Sequence, residues 1–254
     1  MQQSNNYIII FTVVLTIVLG GLLSAASVFL KPKQKKSIEL DTKKQILTAV
    51  VDLEGLSGNE ILEKYDAEIQ SVVVNIDGDI VEEDEQGAPI VAEKVDIAKN
   101  YKKAPEERLF PVFKFHEAGN TESVKSYILP VYGTGLWGPI WGYIALETDM
   151  NTIKGVVFAH ETETPGLGAR ITEREVQDRF QGKNIFDEEG KLVSVAMLKG
   201  ENNPNPLLGA HYVDGMSGAT ITADGLNKML KDYFGYYEAY IKKVSGDTEK
   251  VAAL

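Results

Sequence analysis

Two short stretches concentrate the residue types that do chemistry. "DGMSGAT", residues 214–220, carries a carboxylate at Asp214, a hydroxyl at Ser217 and a second hydroxyl at its end, Thr220. Gly215, Gly218 and Ala219 keep the approach to Thr220 free of side-chain bulk. The sequence offers that hydroxyl no plausible basic partner, so a hydrolytic nucleophile is a poor reading and a threonine modified by another enzyme a better one. Asp214 and Ser217 suit either a metal-bound phosphate or the cap of a following helix, and residue types alone favour the cap. "ETETPGLGARI", residues 161–171, is the second stretch. Gly166 and Gly168 let backbone N–H groups approach an anion or a flat ring, with Pro165 and Leu167 between and beside them. Thr162, Thr164 and Arg170 add donors. The same residues also describe a strand-to-helix connection that needs two positive φ angles.

A third pattern fails on its context. Gly133-x-Gly135-x-x-Gly138 has dinucleotide-fingerprint spacing and follows an apolar run. Pyrophosphate binding requires a helix to start at the last glycines. Here Pro139 is followed by "IWGYIALE", which reads as a strand, so direct NAD(H) binding is rejected. The glycines shape a tight turn beside Trp137 and Trp141, whose rings either join the core or flank an aromatic ligand.

The elements that must position these stretches read as α+β with a largely antiparallel sheet. Residues 40–53 and 60–69 read as short helices, and 71–81 as a hairpin turning at Asp77-Gly78. A short strand falls near "RLFPVFKFHE". Residues 126–147 read as strand, glycine loop, strand, and 153–161 as a further strand. Residues 172–182 read as a helix ending at Gly182, 191–199 as a strand and 201–215 as a loop. Leu226, Leu230, Tyr233, Tyr237, Ile241 and Val244 mark an amphipathic C-terminal helix, with Thr222 or Asp224 at its N-terminal flank.

Residues 8–30 carry no charge and are long enough to span about 30 Å of hydrocarbon as a helix. No Lys or Arg precedes them, which favours a retained membrane helix over a cleaved signal. The lysines follow instead, in "KPKQKK", and taken alone would hold the rest of the chain in the cytoplasm. The net charge of −11 argues against a nucleic-acid partner, whose phosphates would repel it. The chain contains no cysteine, which removes disulfides, thiol catalysis and Cys-ligated clusters. Its three histidines lie far apart, so no metal site is expected.

"DGMSGAT" matches the flavinylation motif of the FMN-binding domain family. "GTGLWGPIWGYIALETD", "ETPGLGARI", "FQGKNIF" and "VDGMSGATITADGL" follow one another as in the C subunits of Na⁺-translocating NADH:quinone reductases, and the chain resembles that family over nearly its whole length. The resemblance implies residues 1–36 as anchor, 37–124 as the first part of the soluble region and 125–254 as the FMN-binding domain. It implies FMN esterified through its phosphate to Thr220 by a flavin transferase, with Asp214, Gly215, Ser217, Gly218 and Ala219 around the attachment. Thr164, Pro165, Gly166, Leu167 and Gly168 would line the ring, with Leu136 and Trp137 beside it. No residue of the chain is expected to be catalytic. The protein would be an electron carrier among other subunits of a Na⁺-pumping inner-membrane complex, with its soluble domain on the periplasmic side. That side is opposite to the one the lysines indicate. Rival readings are the G subunit of an Rnf-type ferredoxin:NAD⁺ oxidoreductase, a free-standing anchored flavin reductase, and a non-redox binding module.

Overall fold

The computed structural model describes residues 4–84 and 86–252. The chain divides into two compact units, one up to Thr42 and one from Lys43 onward. Helix α1 (Asn5–Thr48) is apolar and long enough to cross a membrane, and the side chains of residues 8–30 are exposed along it. Pro32 lies inside α1, so one backbone hydrogen bond is missing there. The short helix expected at 40–53 is the end of this same element rather than a separate one.

Helix α2 (Gly58–Glu68) starts from a capping box. Glu60 N–H donates to Ser57 Oγ at 3.4 Å, and Ser57 N–H donates to Glu60 Oε2 at 2.7 Å. Strand β1 (Ile69–Val74) then turns at Asp77-Gly78 as expected, and Val74 bridges Ile80 on the return. A short helix α3 (Ile97–Asn100) precedes β2 (Phe110–Glu117), β3 (Asn120–Thr134), β4 (Pro139–Leu146) and β5 (Ile153–His160). The five strands pair antiparallel in chain order. β3 starts six residues before the position read from sequence, in a polar stretch where apolar alternation is weak.

Strand alternation gives the sheet two buried faces. Val112, Leu129, Ile144 and Val156 join one core with helix α6 (Thr220–Ala252), which presents Leu226, Leu230, Tyr233, Tyr237 and Ile241. Tyr237 carries a hydroxyl into that core and donates it to the carbonyls of Pro111, at 2.8 Å, and Pro130, at 3.3 Å. Phe113, Ile128 and Ala145 are buried on the opposite face, with Ile46, Leu47 and Tyr65 from α1 and α2. There, a Cβ on Gly155 would meet the Ala49 carbonyl at 2.5 Å, so the chain end of α1 needs glycine beneath it.

The region between β5 and α6 is more irregular than its sequence reads. The helix expected at 172–182 is a 3₁₀ turn at Gly168–Thr172 followed by a single α turn, α4 (Arg174–Asp178), though the chain does turn at Gly182 with φ +74°. Only β6 (Ala196–Met197) survives of the strand expected at 191–199. It pairs in parallel with β7 (Tyr212–Val213) beyond the short helix α5 (Asn205–Leu208). Side-chain bonds do the work of the missing ladder: Met197 N–H donates to Asn227 Oδ1 at 2.7 Å, and Asn227 Nδ2 returns to Met197 O at 2.9 Å.

Candidate functional site

Glycines decide how closely the site's parts approach. A Cβ at Gly133 would lie 2.8 Å from Met229 Cβ, and one at Gly225 would run into the Thr134 carbonyl. The start of α6 is therefore laid directly on the β3–β4 hairpin. That hairpin closes by Gly135 N–H donating to Gly138 O at 2.8 Å. Strand β4 follows it, not a helix, which is why the dinucleotide spacing is coincidental. The two tryptophans part company here. Trp137 is 66% exposed in the hairpin loop, whereas Trp141 pairs with Tyr132 in the sheet and lines a separate hollow of about 320 Å³ with Tyr143 and Glu161.

Thr220 is the first residue of α6 and is half-buried. Met216 and Ala219 are buried and pin the preceding turn, while Ser217 and Gly218 face outward. Gly218 adopts φ +73°, and a side chain there would press on Leu167 Cδ2 at 2.9 Å. The first backbone bond reaching into the helix is Ala223 N–H to Ala219 O, at 2.9 Å. The N–H groups of Thr220, Ile221 and Thr222 precede it and, as at any helix start, have no partner inside the helix. They form the positive end of the helix dipole. Thr222 and Asp224 lie within α6 rather than capping it, so the helix starts earlier than its apolar periodicity indicates.

Beneath this turn runs an ion-pair network that leaves no trace in the sequence pattern. Arg170 donates to both oxygens of Glu201, at 2.8 and 3.0 Å, and Arg179 reaches Glu201 at 3.1 Å. Arg179 also donates to the Gly215 carbonyl at 2.5 Å. Ser217 N–H closes the ring onto Glu201 Oε2 at 3.4 Å. Hydrogen bonds from Arg170 and then Arg179 hold the Glu201 carboxyl down at about 2, and the bonds of Arg170 to Glu201 and then Glu173 raise Arg170. Arg170 is thus committed to a carboxylate, not offered to an anion. Asp214 is engaged by another loop. Its oxygens accept from the backbone N–H groups of Asn202 and Asn203 at 2.8 and 2.9 Å. Burial pushes its carboxyl up, but the bonds from Asn203 and Asn202 outweigh that and leave it below its usual value. Gly215 is buried against the carbonyls of Leu198 and Gly200, with no room for a side chain.

The remaining glycine loop comes in from the β5 side. Thr164, Pro165, Gly166 and Leu167 are exposed, Gly168 is buried, and Gly166 takes φ +73°. Between the loop and the helix stands Glu163, only 4% exposed. Its Oε1 accepts Trp137 N–H at 2.9 Å and its Oε2 accepts Thr222 Oγ1 at 2.6 Å. Glu163 lies inside the glycine-loop motif but gives no sequence signal of its own, because one carboxylate among threonines reads as solvated. Around this junction Leu136, Trp137, Leu167 and Ile221 remain exposed, an unusual concentration of apolar surface beside helix-end N–H groups. Such a surface fits FMN in both its parts. The N–H groups of Thr220–Thr222 suit a phosphate, and the apolar side chains suit a flat heteroaromatic ring.

A domain architecture of this kind is known. Residues 135–234 match the FMN-binding domain family. Over 95% of its length the chain is 30% identical to the C subunit of the Na(+)-translocating NADH-quinone reductase of Pseudomonas aeruginosa, covering 98% of that protein. The crystal structure of the corresponding C subunit from Parabacteroides distasonis superposes with a TM-score of 0.69 at 36% identity, covering 84% of this chain and 96% of that one. NqrC of Shewanella oneidensis does so with a TM-score of 0.65 at 27% identity, over 83% of this chain and 99% of that one. The chain belongs to the family of Na⁺-translocating NADH-quinone reductase C subunits.

Proposed function

We propose that the chain is the electron-carrying C subunit of a Na⁺-pumping NADH:quinone oxidoreductase, with FMN joined by a phosphoester to Thr220. The observation that carries this reading is the position of Thr220. Its hydroxyl opens α6 beside helix-end N–H groups and an exposed apolar rim, and the buried residues on either side hold the turn in place. When bound, the flavin supplies the redox chemistry by taking up and passing on electrons. The chain's own residues bind and orient. The N–H groups of Thr220–Thr222 hold the phosphate, and Leu136, Trp137, Leu167 and the 164–168 loop flank the ring.

The functional division is then anchor, 1–36; supporting region, 37–124; and flavin-bearing domain, 125–254. The anchor places the protein in the bacterial inner membrane among the other subunits of the complex. A flavin transferase supplies the FMN from the outer side of that membrane, where the soluble domain lies. External protease should therefore digest the soluble domain in intact spheroplasts, and protection would place it inside.

The reading is tested by ultraviolet fluorescence of the denatured full chain in a gel, beside Thr220→Ala, both exported with a flavin transferase. A fluorescent wild-type band that disappears in the variant supports it. A dark wild-type band overturns it.

A further inference from the structure

Glu163 joins three segments that are remote in sequence. It belongs to the stretch leading into the 164–168 loop, receives Trp137 N–H from the β3–β4 hairpin, and receives the Thr222 hydroxyl from the first turn of α6. The space around it is shaped for this purpose. A Cβ at Gly135 would lie 2.5 Å from Glu163 Oε1, and one at Gly168 would strike both Glu163 Oε2 and Thr222 Oγ1. Two glycines of two different loops thus leave room for a single carboxylate. Its backbone N–H is also engaged, at 3.3 Å from His160 Nδ1. A carboxylate this buried is costly unless hydrogen-bonded, and here each oxygen has one donor. It also lies at the positive end of α6, where a negative charge is favoured.

We propose that Glu163 is a positioning residue that makes the attachment turn and the ring-flanking loops one mechanical unit. The proposal rests on the reading that Thr220 bears the flavin, but the coupling belongs to the chain alone and exists without flavin. Order in the first turn of α6 passes through Thr222 Oγ1 to Glu163 and from Glu163 to the backbone of Trp137. Thr222 and Trp137 act on each other through that one carboxylate.

The test is amide hydrogen exchange on the full chain in detergent, made without a flavin transferase. Thr222→Val keeps shape but removes the hydroxyl. The Trp137 amide should then exchange about tenfold faster, as expected for losing roughly 1.4 kcal/mol of local protection. Thr222→Ser, which restores a hydroxyl, should return the rate to that of wild type. An unchanged Trp137 rate in Thr222→Val overturns the proposal. Should Thr222→Val not melt cooperatively, Glu163→Ala carries the same test. Exchange must then quicken both at Trp137 and in the first turn of α6, and quickening at Trp137 alone overturns it. In flavin-loaded chain, Thr222→Val should also lower the fluorescence anisotropy of the flavin. Native anisotropy there contradicts the role in ring positioning. A wild-type chain that takes no flavin defeats the proposed function but leaves the exchange result intact.

Discussion

Arg179 donates to Glu201 at 3.1 Å and to the Gly215 carbonyl at 2.5 Å, so one guanidinium ties a remote carboxylate to the backbone of the turn that ends on Thr220. Arg170 completes the pairing from the other side. The consequence is a pH dependence with a definite sign. Glu201 titrates at about 2 in the folded chain, held down by its bonds from Arg170 and Arg179. Its unfolded value is about 4.3. A carboxyl depressed by folding stabilises fully above the unfolded value and loses that contribution as pH falls toward the folded one. Melting temperature should therefore decline between about pH 4.3 and pH 2, and Glu201→Gln should decline less steeply across that window. Parallel melting curves for the two proteins would show that the pair contributes nothing.

Two glycines of α6 should respond oppositely to alanine. In an exposed helix interior, Gly→Ala gains about 0.5–1 kcal/mol. Gly235 has nothing within 4 Å of where a Cβ would lie and should show that gain. At Gly225 the new methyl group would run into the Thr134 carbonyl and lie 3.2 Å from Gly135 Cα. Backbone cannot rotate aside as a side chain can, so overpacking of about 1–3 kcal/mol should win over propensity. Urea titration of Gly225→Ala and Gly235→Ala measures both. Stabilisation by Gly225→Ala would mean that α6 does not rest on the hairpin.

Nothing in the sequence around Gly225 and Gly235 tells these two glycines apart, and the same limit holds elsewhere in the chain. The strands from 110 to 160 and helix α6 follow from apolar periodicity, because burial of alternate residues or of one helical stripe repeats along the chain. Thr220, Gly218 and Leu167 are recognisable through motif wording, and the fold does bring Gly218 against Leu167. Residues 168–215 depart from their sequence pattern where side chains replace a ladder. Asn227 bonding Met197, and Asp214 bonding Asn202 and Asn203, are pairings between separated segments with no periodic trace. Glu163 and Glu201 are hidden for the same reason, since an acidic residue looks solvated until its donors are placed around it.

Trp137 separates stability from function. The residue is 66% exposed while its backbone N–H is bound to Glu163. Trp137→Ala keeps the backbone bond and removes a mostly exposed side chain, so the unfolding free energy should change by no more than about 0.5 kcal/mol. The flavin spectrum and its fluorescence yield in the loaded chain should change, because the proposed site sets this indole beside the ring. A loaded variant with an unaltered flavin spectrum and yield would remove Trp137 from the site.

Glu163→Gln isolates charge from geometry. The amide keeps an oxygen to accept Trp137 N–H and gains an N–H to donate to Thr222, whose hydroxyl rotates to accept it. The three segments should stay joined and flavin anisotropy should stay native. What changes is a buried negative charge, poorly screened by salt because it is shielded from water. A negative charge opposes electron uptake by a neighbouring group, so the midpoint potential of the loaded flavin should move to more positive values. Spectroelectrochemical titration of wild type and variant at one pH reads this directly. A more negative potential would contradict the sign of the electrostatics. An unchanged one, with anisotropy retained, would mean that Glu163 acts by position alone.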